Sequence, residues 1–220
     1  MKSLHIPSPA GSAPRGTILF FTGWGMDPAA SRHLSQGEYD LRIFWGYADL
    51  PASLPPEAGE CVLVAWSLGV WAAGQLDWSA WHLRSGLALN GTLEPQSEAW
   101  GIPPNIFRGT VENWGLPRAR ERFLARMTGS VQAAKAFPGG ERTPEDQQAE
   151  LAAISRGCQE NPALRPSPFT QAVVGTEDRI FPPEAQKNAW QKAGVPVKEL
   201  PLAHDCLRSF SSWEEVLRLG

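Results

Sequence analysis

One segment, CVLVAWSLGVWAAGQL at residues 61–76, constrains the fold more than any other part of the chain. Its first six residues are all apolar, which is typical of a strand buried on both faces of a sheet. After Ser67, apolar side chains recur at the spacing of a helix. A buried strand that leads directly into a helix is a building unit of parallel sheets covered by helices, so the segment predicts an α/β fold.

Strand patterns of this kind recur along the chain and alternate with helical patterns. The predicted strands are TILFFT (17–22), LRIFW (41–45), CVLVAW (61–66), GLALN (86–90), TQAVVG (170–175) and VKEL (197–200). His5, which precedes the first of these strands, is predicted to lie in an N-terminal tail. The order predicts one domain over residues 1–220, built on a mostly parallel central sheet flanked by helices.

The strand signal disappears from about residue 93 to residue 165. Two stretches there, RARERFLARM (118–127) and PEDQQAELAAISR (144–156), have helical patterns, and proline and glycine lie between them. We therefore expect a helical insertion at about 93–165, between the fourth and fifth predicted strands.

Net charge and cysteine content argue against several classes of partner and location. The formal net charge of −3 gives no overall attraction to nucleic acid or to an anionic membrane surface. No apolar run approaches the length of a membrane span, and the first residues lack the apolar centre of a signal peptide. Cys61, Cys158 and Cys206 lack the spacing of metal ligands or disulfide partners. We expect a cytoplasmic protein without a metal site.

Three reactive residues follow predicted strands. Ser67 follows CVLVAW, Asp178 lies in GTEDRIF after the fifth strand, and His204 lies in LPLAHDCLRSF after the last one. Reacting groups of a parallel sheet collect beyond the carboxyl ends of its strands, and the order Ser, Asp, His is typical of α/β-hydrolases. The competing interpretations are a helix cap for Ser67, a turn residue for Asp178 and a surface histidine.

These residue types predict a nucleophile, a base and an acid. In this hypothesis His204 removes the proton of Ser67, and Asp178 holds the imidazole while Ser67 attacks a carbonyl carbon. The oxyanion that develops needs backbone donors. The N–H of Leu68 directly follows the nucleophile, and the glycines of TGWG could aim the N–H of Trp24 at the same point.

Aromatic and polar residues beside these loops are candidates for substrate contact. Trp24, Trp66 and Trp71 flank the two loops, so either they are structural or one of them borders an apolar substrate slot. Asn90 follows the fourth predicted strand. Its side chain either contacts the substrate or shapes the turn into the insertion.

With these residues identified, the sequence resembles the pimeloyl-[acyl-carrier protein] methyl ester esterases of the BioG type, from about Thr17 to Phe210. The segments that carry the resemblance are GWG (23–25), VAWSLGVW (64–71), NGT (90–92), GIPPNIFRGTVENW (101–114) and the late His204. The long segment at 101–114 is the most specific of them, although its residue types do not reveal its chemistry.

The resemblance implies an α/β-hydrolase with a helical lid, no cofactor, and a methyl ester substrate carried by acyl carrier protein through phosphopantetheine. It implies that Ser67, His204 and Asp178 are the triad and that Trp24 and Leu68 are the oxyanion donors. The activity implied is hydrolysis of that ester to pimeloyl-carrier and methanol in biotin synthesis. The same residues would also suit a general short-acyl esterase or thioesterase, or a silent homologue that binds the carrier.

An acidic carrier protein would need positive charge on this acidic chain. Arg118, Arg122 and Arg126 recur every four residues, which predicts one stripe along a helix. This arginine stripe is either a docking face for the carrier or a solvated helix face.

Overall fold

The fold is built on one sheet. A computed structural model describes residues 1–9, 13–160 and 166–220. The strands among these residues are β1 (Lys2–Ile6), β2 (Thr17–Phe21), β3 (Asp40–Trp45), β4 (Cys61–Trp66), β5 (Leu83–Leu89), β6 (Gln171–Gly175) and β7 (Val197–Leu200). Their order across the sheet is β1-β3-β2-β4-β5-β6-β7. Every adjacent pair is parallel except β1 and β3, so the predicted mostly parallel sheet is confirmed.

The central strands explain the continuous apolar runs of the sequence. Every residue of β2 and β4 is buried, because helices cover both faces of the sheet. On β2, Phe20 meets Trp213 edge to face at 4.9 Å between ring centroids, and Phe21 stacks on Phe44 at 4.6 Å. Burial of both strands and these ring contacts hold the carboxyl ends of β2 and β4 in place. The loops that contain Trp24 and Ser67 start from those ends.

The prediction of an N-terminal tail is wrong. Lys2–Ile6 pairs antiparallel with β3 as the edge strand β1, and Leu4 lies opposite Ile43. Four of its five residues are exposed, including His5. An edge strand of this kind is held by backbone hydrogen bonds more than by burial, so it leaves little apolar pattern in the sequence.

Seven α-helices connect and cover the strands in the described part of the chain. They are α1 (Leu68–Gly74), α2 (Pro104–Asn113), α3 (Pro117–Met127), α4 (Val131–Ala136), α5 (Pro144–Glu160), α6 (Pro183–Ala193) and α7 (Trp213–Leu217). Helix α6 ends at Gly194, whose φ of 69° gives the left-handed cap that glycine adopts readily. Across the described residues, no helix combines the length and apolar character that crossing a bilayer requires.

Four of these helices, α2 to α5, lie between β5 and β6, in the part of the chain where the insertion is predicted. Leu151 and Ile154 of α5 are buried against the body of the protein. The predicted end of the insertion near residue 165 lies outside the described residues. That α2 to α5 form a lid stays a prediction.

The approach of α1 to β2 leaves no room for a side chain at Gly69. A Cβ added there would lie 2.4 Å from the carbonyl oxygen of Thr22 and 2.5 Å from that of Phe21. Both atoms are backbone, which cannot rotate away. Gly109 of α2 offers a contrast, because nothing lies within 4 Å of a Cβ added there.

We predict that Gly69→Ala lowers the free energy of unfolding by about 2 kcal/mol or more, since overpacking a tight contact must displace α1 or β2. Gly109→Ala should be neutral or stabilising by up to about 1 kcal/mol, as expected for a helix interior. Urea unfolding of the two variants checks this difference, and equal effects would contradict the contact described for Gly69.

Candidate active site

The structure brings the three predicted triad side chains together. His204 Nε2 lies 2.9 Å from Ser67 Oγ, and His204 Nδ1 lies 2.8 Å from Asp178 Oδ2. Ser67, Asp178 and His204 are 6%, 5% and 1% exposed. They come from the loops after β4, β6 and β7, which meet at the carboxyl edge of the parallel sheet. The chain of hydrogen bonds runs from acid to base to hydroxyl, the arrangement that nucleophilic acyl transfer requires.

The backbone of Ser67 is strained. Its φ of 59° and ψ of −129° place a residue other than glycine in an unfavourable region. Its side chain makes no capping hydrogen bond to α1, so the hydroxyl is not used as a helix cap. A Cβ added at Gly91 would lie 2.3 Å from the carbonyl oxygen of Ser67, so this turn also depends on a neighbour without a side chain.

The carboxylate of Asp178 is fully engaged. Its Oδ1 accepts the backbone N–H groups of Ile180 and Phe181 at 2.8 and 3.0 Å. Its Oδ2 accepts from the amide of Gln186 at 3.1 Å as well as from His204. These donors hold the carboxylate in one orientation.

Asp205 follows His204 directly in the sequence, yet the acid bonded to the imidazole is Asp178. The backbone N–H of Asp205 donates to Met127 O on α3 at 2.9 Å. Burial raises the pKa of the Asp205 carboxyl to about 6, and Arg208 and His204 counteract the rise. Asp205 is therefore a buried acid close to the site that does not orient the base.

Asn90 and Trp66 hold the loop that carries the base. The amide of Asn90 donates to Ala203 O at 2.8 Å and to His204 O at 3.1 Å. Its Oδ1 accepts the N–H of Gly175 at 2.6 Å, which ties the acid loop to the base loop. The indole N–H of Trp66 also donates to His204 O, at 2.8 Å. Both side chains were candidates for substrate contact, and the structure uses both to join the loops.

Two backbone N–H groups are available for an oxyanion. The N–H of Leu68 is the first of α1, at the positive end of the helix dipole. Trp24 lies in the loop after β2. Within the described residues, neither N–H donates to an acceptor. Both residues line a cleft that reaches Ser67, so these donors border the place where a substrate carbonyl would lie.

The cleft encloses about 460 Å³, part of it open to solvent. Its walls are mostly apolar, and two guanidinium groups, those of Arg126 and Arg179, also line it. The apolar residues of the lining are Trp24, Leu68, Ile102, Ile106, Phe107, Phe123, Leu151, Ile180 and Phe181.

Of the three tryptophans that the sequence offered as candidates for substrate contact, Trp24 lines the cleft. Trp71 packs instead on α5, where a Cβ added at Gly157 would lie 2.8 Å from its ring.

The structure explains the long segment GIPPNIFRGTVENW. It contains Ile102 and all of helix α2, and four of its residues, including Phe107 and Thr110, line the cleft. At its end, the ring of Trp114 packs on that of Trp24 at 4.4 Å between centroids. The segment is therefore a wall of the cleft that also supports residues 23–25 after β2, which we name the Trp24 loop.

The arginine stripe lies on α3. Arg118, Arg122 and Arg126 are exposed there, while Phe123 and Met127 on the same helix are buried. Arg126 is the member of the stripe that lines the cleft. The stripe thus leads along the outside of the helical segment to the mouth of the cleft.

Sequence reasoning missed three polar residues of this region. Gln186 orients Asp178, Arg179 lines the cleft, and Glu150 of α5 is buried beside the Trp24 loop. Their positions in the sequence resemble those of ordinary surface residues of amphipathic helices and loops. The only signal was their polar character, and it does not distinguish a buried polar group from an exposed one.

Comparison with known proteins supports the fold and the class of chemistry. Residues 9–216 match the family described as pimeloyl-ACP methyl esterase BioG. The chain is 37% identical over 218 residues to malonyl-[acyl-carrier protein] O-methyltransferase of Bacteroides fragilis, which covers 93% of this chain and 44% of that protein. The chain therefore spans less than half the length of this relative.

Solved structures show the same architecture. BioG from Haemophilus influenzae has a TM-score of 0.83 at 30% identity, over 98% of this chain and 99% of that one. Naproxen esterase from Bacillus subtilis has a TM-score of 0.57 at 13% identity, over 98% of this chain and 86% of that one, a likeness of the fold alone. The α/β-hydrolase fold expected from the sequence is confirmed.

We predict that Asp178→Asn lowers kcat for an ester roughly 10³- to 10⁴-fold, because the amide would favour the wrong tautomer of His204. Asp205→Asn is the matched control, since it removes a buried carboxylate one residue from the base without touching the imidazole Nδ1. It should keep kcat within about threefold of wild type. Steady-state hydrolysis of p-nitrophenyl butyrate measures both, and a reversed order of effects would assign the acid to Asp205.

Proposed function

Because the chain is a carboxylic ester hydrolase that belongs to the pimeloyl-ACP methyl esterase BioG family, we propose that it hydrolyses the methyl ester of pimeloyl-[acyl-carrier protein]. The products are methanol and the free carboxylate of the pimeloyl-carrier, a step of biotin synthesis. The observation that carries the proposal is the hydrogen-bonded chain from Asp178 through His204 to Ser67 at the end of an apolar cleft.

The proposed mechanism follows from these contacts. His204 Nε2 takes the hydroxyl proton as Ser67 Oγ attacks the ester carbonyl carbon, and Asp178 stabilises the imidazolium that forms. The N–H groups of Leu68 and Trp24 donate to the oxyanion of the tetrahedral intermediate. The intermediate collapses as His204 returns the proton to the leaving methoxide, which departs as methanol. Water, deprotonated by His204, then attacks the carbonyl carbon of the acyl-enzyme. The bond from that carbon to Ser67 Oγ breaks, His204 returns the proton to Oγ, and the free acid is released.

The cleft suits the acyl part of this substrate. A pimeloyl chain is a run of methylene groups between two carbonyl groups, and the walls beside Ser67 are aliphatic and aromatic. Burying such a chain is favourable by about 0.8 kcal/mol per methylene group. The carrier protein is too large to enter, so it remains outside, where α2 and α3 form the mouth.

The surface near the mouth suits an acidic carrier. Arg118 and Arg122 are exposed on α3, and Leu116 just before this helix is 56% exposed. Ile106 of α2, which lines the cleft, is 48% exposed. Positive charge beside exposed apolar groups can bind an acidic helix, through ion pairs at the rim and apolar contacts between them. We therefore propose that acyl carrier protein docks here and that α2 to α5 act as the lid.

The methyltransferase activity in the name of the Bacteroides relative is not proposed for this chain, which matches less than half of that protein. The competing function is a general short-acyl esterase or thioesterase, which the same triad and apolar cleft would serve. A silent carrier-binding homologue would differ from both in failing to react with a fluorophosphonate at Ser67.

We predict that the wild-type protein hydrolyses the carrier-bound methyl ester with a kcat/KM well above that for p-nitrophenyl butyrate. Ser67→Ala should lower both activities by roughly 10⁴-fold or more, because the nucleophile is lost. Release of methanol and of p-nitrophenol measures the two reactions. Cleavage of the small ester alone would retain the esterase and refute the carrier substrate, and cleavage of neither would refute the esterase.

We predict that Arg118→Ala combined with Arg122→Ala raises KM for the carrier ester about tenfold and leaves KM for p-nitrophenyl butyrate within twofold, since only the carrier uses the charge. The matched control is Arg15→Ala combined with Arg84→Ala. This control variant removes the same amount of positive charge at the amino ends of the strands, away from the cleft. There Arg15 pairs with Glu214 and Arg84 pairs with Glu60. Equal changes in KM for the two esters would refute docking at the arginine stripe.

A further inference from the structure

Helix α5 is bonded to the loop that supplies the proposed oxyanion donor. This is the Trp24 loop, residues 23–25, which follows β2 and turns at Trp24 and Gly25. Glu150 Oε2 accepts the N–H of Gly25 at 3.2 Å, and the amide of Gln147 donates to Gly25 O at 2.9 Å. The indole N–H of Trp24 donates to Gln147 O at 2.7 Å. Two side chains and one carbonyl group of α5 thus hold the loop on both sides of Gly25.

Glu150 is unusual among the acids of this chain because it is 1% exposed and takes no part in the triad. Its Oε1 accepts the N–H of Tyr47 at 2.7 Å, and Arg142 pairs with its Oε2. Burial raises the pKa of the Glu150 carboxyl above its ordinary value, although the guanidinium of Arg142 and the two N–H donors counteract part of the rise. All of these partners donate, so the contacts select the carboxylate, which accepts only.

Burying a carboxylate is costly unless it is paired and hydrogen-bonded. Here the charge is paired with Arg142, and two of its acceptor positions are used to hold backbone N–H groups of loops that follow β2 and β3. A methylene-rich side chain at position 150 would pack against the core without this cost. The geometry therefore indicates a role in orienting backbone, beyond filling space.

The Trp24 N–H belongs to the Gly23–Trp24 peptide group, whose carbonyl oxygen accepts the N–H of Met26 at 3.2 Å across the turn that contains Gly25. Gly25 has a φ of 73°, a left-handed conformation that glycine adopts readily. A change in the backbone at Gly25 would move the Met26 N–H away from the Gly23 carbonyl oxygen and free the peptide group that carries the Trp24 N–H to turn. Contacts to Gly25 N–H and O, one on each side of the residue, restrict that change.

We propose that Glu150 is a positioning residue of the oxyanion hole, acting by holding Gly25 so that the N–H of Trp24 points at the substrate carbonyl. This inference rests on the proposed esterase function. Since Glu150 and Gln147 belong to the helical segment proposed as the lid, the oxyanion hole is complete only while α5 is docked on the Trp24 loop. Movement of α5 away from the Trp24 loop would therefore weaken the stabilisation of the oxyanion.

The test is Glu150→Gln, which keeps the size of the side chain but replaces one acceptor oxygen with an NH₂ donor. That NH₂ group can accept from none of the three donors, Arg142 and the N–H groups of Gly25 and Tyr47, so at least one of them loses its acceptor. The expected result is a fall in kcat of about tenfold for p-nitrophenyl butyrate and for the carrier ester alike, with KM within about twofold. Loss of a whole oxyanion donor costs about 10²- to 10³-fold, so a misaimed donor should cost less.

The matched control is Asp146→Asn. Asp146 is the other carboxylate paired with Arg142, and no hydrogen bond to the Trp24 loop involves it within the described residues. Its replacement should leave kcat and KM within about twofold of wild type. Thermal melts of each variant ensure that rates are compared well below the unfolding transition.

A second variant, Gln147→Leu, keeps the test decisive if Glu150→Gln does not fold. It removes the bond to Gly25 O from a less buried position, and kcat should fall about threefold while KM stays unchanged. A lower melting temperature with normal kcat in the folded variants, or a raised KM with normal kcat, would overturn the inference. Failure of the wild-type protein to cleave either ester would instead overturn the proposed function on which it rests.

Discussion

The strained backbone of Ser67 is the constraint on which the rest of the site depends. Holding a residue other than glycine at a φ of 59° costs of order 1–3 kcal/mol. The surroundings maintain it because β4 is fully buried on one side of the turn and α1 is packed against β2 on the other. With both flanks immobile, the turn has no freedom to relax, and the hydroxyl stays directed at His204 Nε2.

The other loops are placed by the sheet and then joined by buried polar groups. Parallel strands direct the loops after β4, β6 and β7 to one edge, which brings serine, acid and base into the same region. Hydrogen bonds from Asn90 and Trp66 fix the remaining freedom of the base loop, and those on Asp178 fix the acid. The apolar surroundings strengthen each of these bonds, because water does not compete for the same donors and acceptors.

The helical segment between β5 and β6 contributes the walls and a further restraint. Helices α2, α3 and α5 supply part of the apolar lining. Two polar side chains of α5, those of Glu150 and Gln147, form hydrogen bonds with the Trp24 loop. Part of the cleft lining and the hydrogen bonds to the loop therefore come from the same helix. A charged residue, Glu150, occupies a buried position of α5, where its carboxylate accepts the N–H of Gly25.

The apolar runs and their alternation with helical patterns were enough to predict the α/β architecture. The order of Ser67, Asp178 and His204 after predicted strands was enough to propose them as a triad, and the structure places the three side chains within hydrogen-bonding distance. The edge strand β1 was missed because its side chains are mostly exposed. Three features could be seen only in the folded protein: Asn90 and Trp66 join loops, Trp24 lines the cleft, and Glu150 contacts Gly25. Strand and helix patterns depend on neighbours along the chain, whereas these contacts join residues up to 138 positions apart and depend on how packed elements orient each side chain.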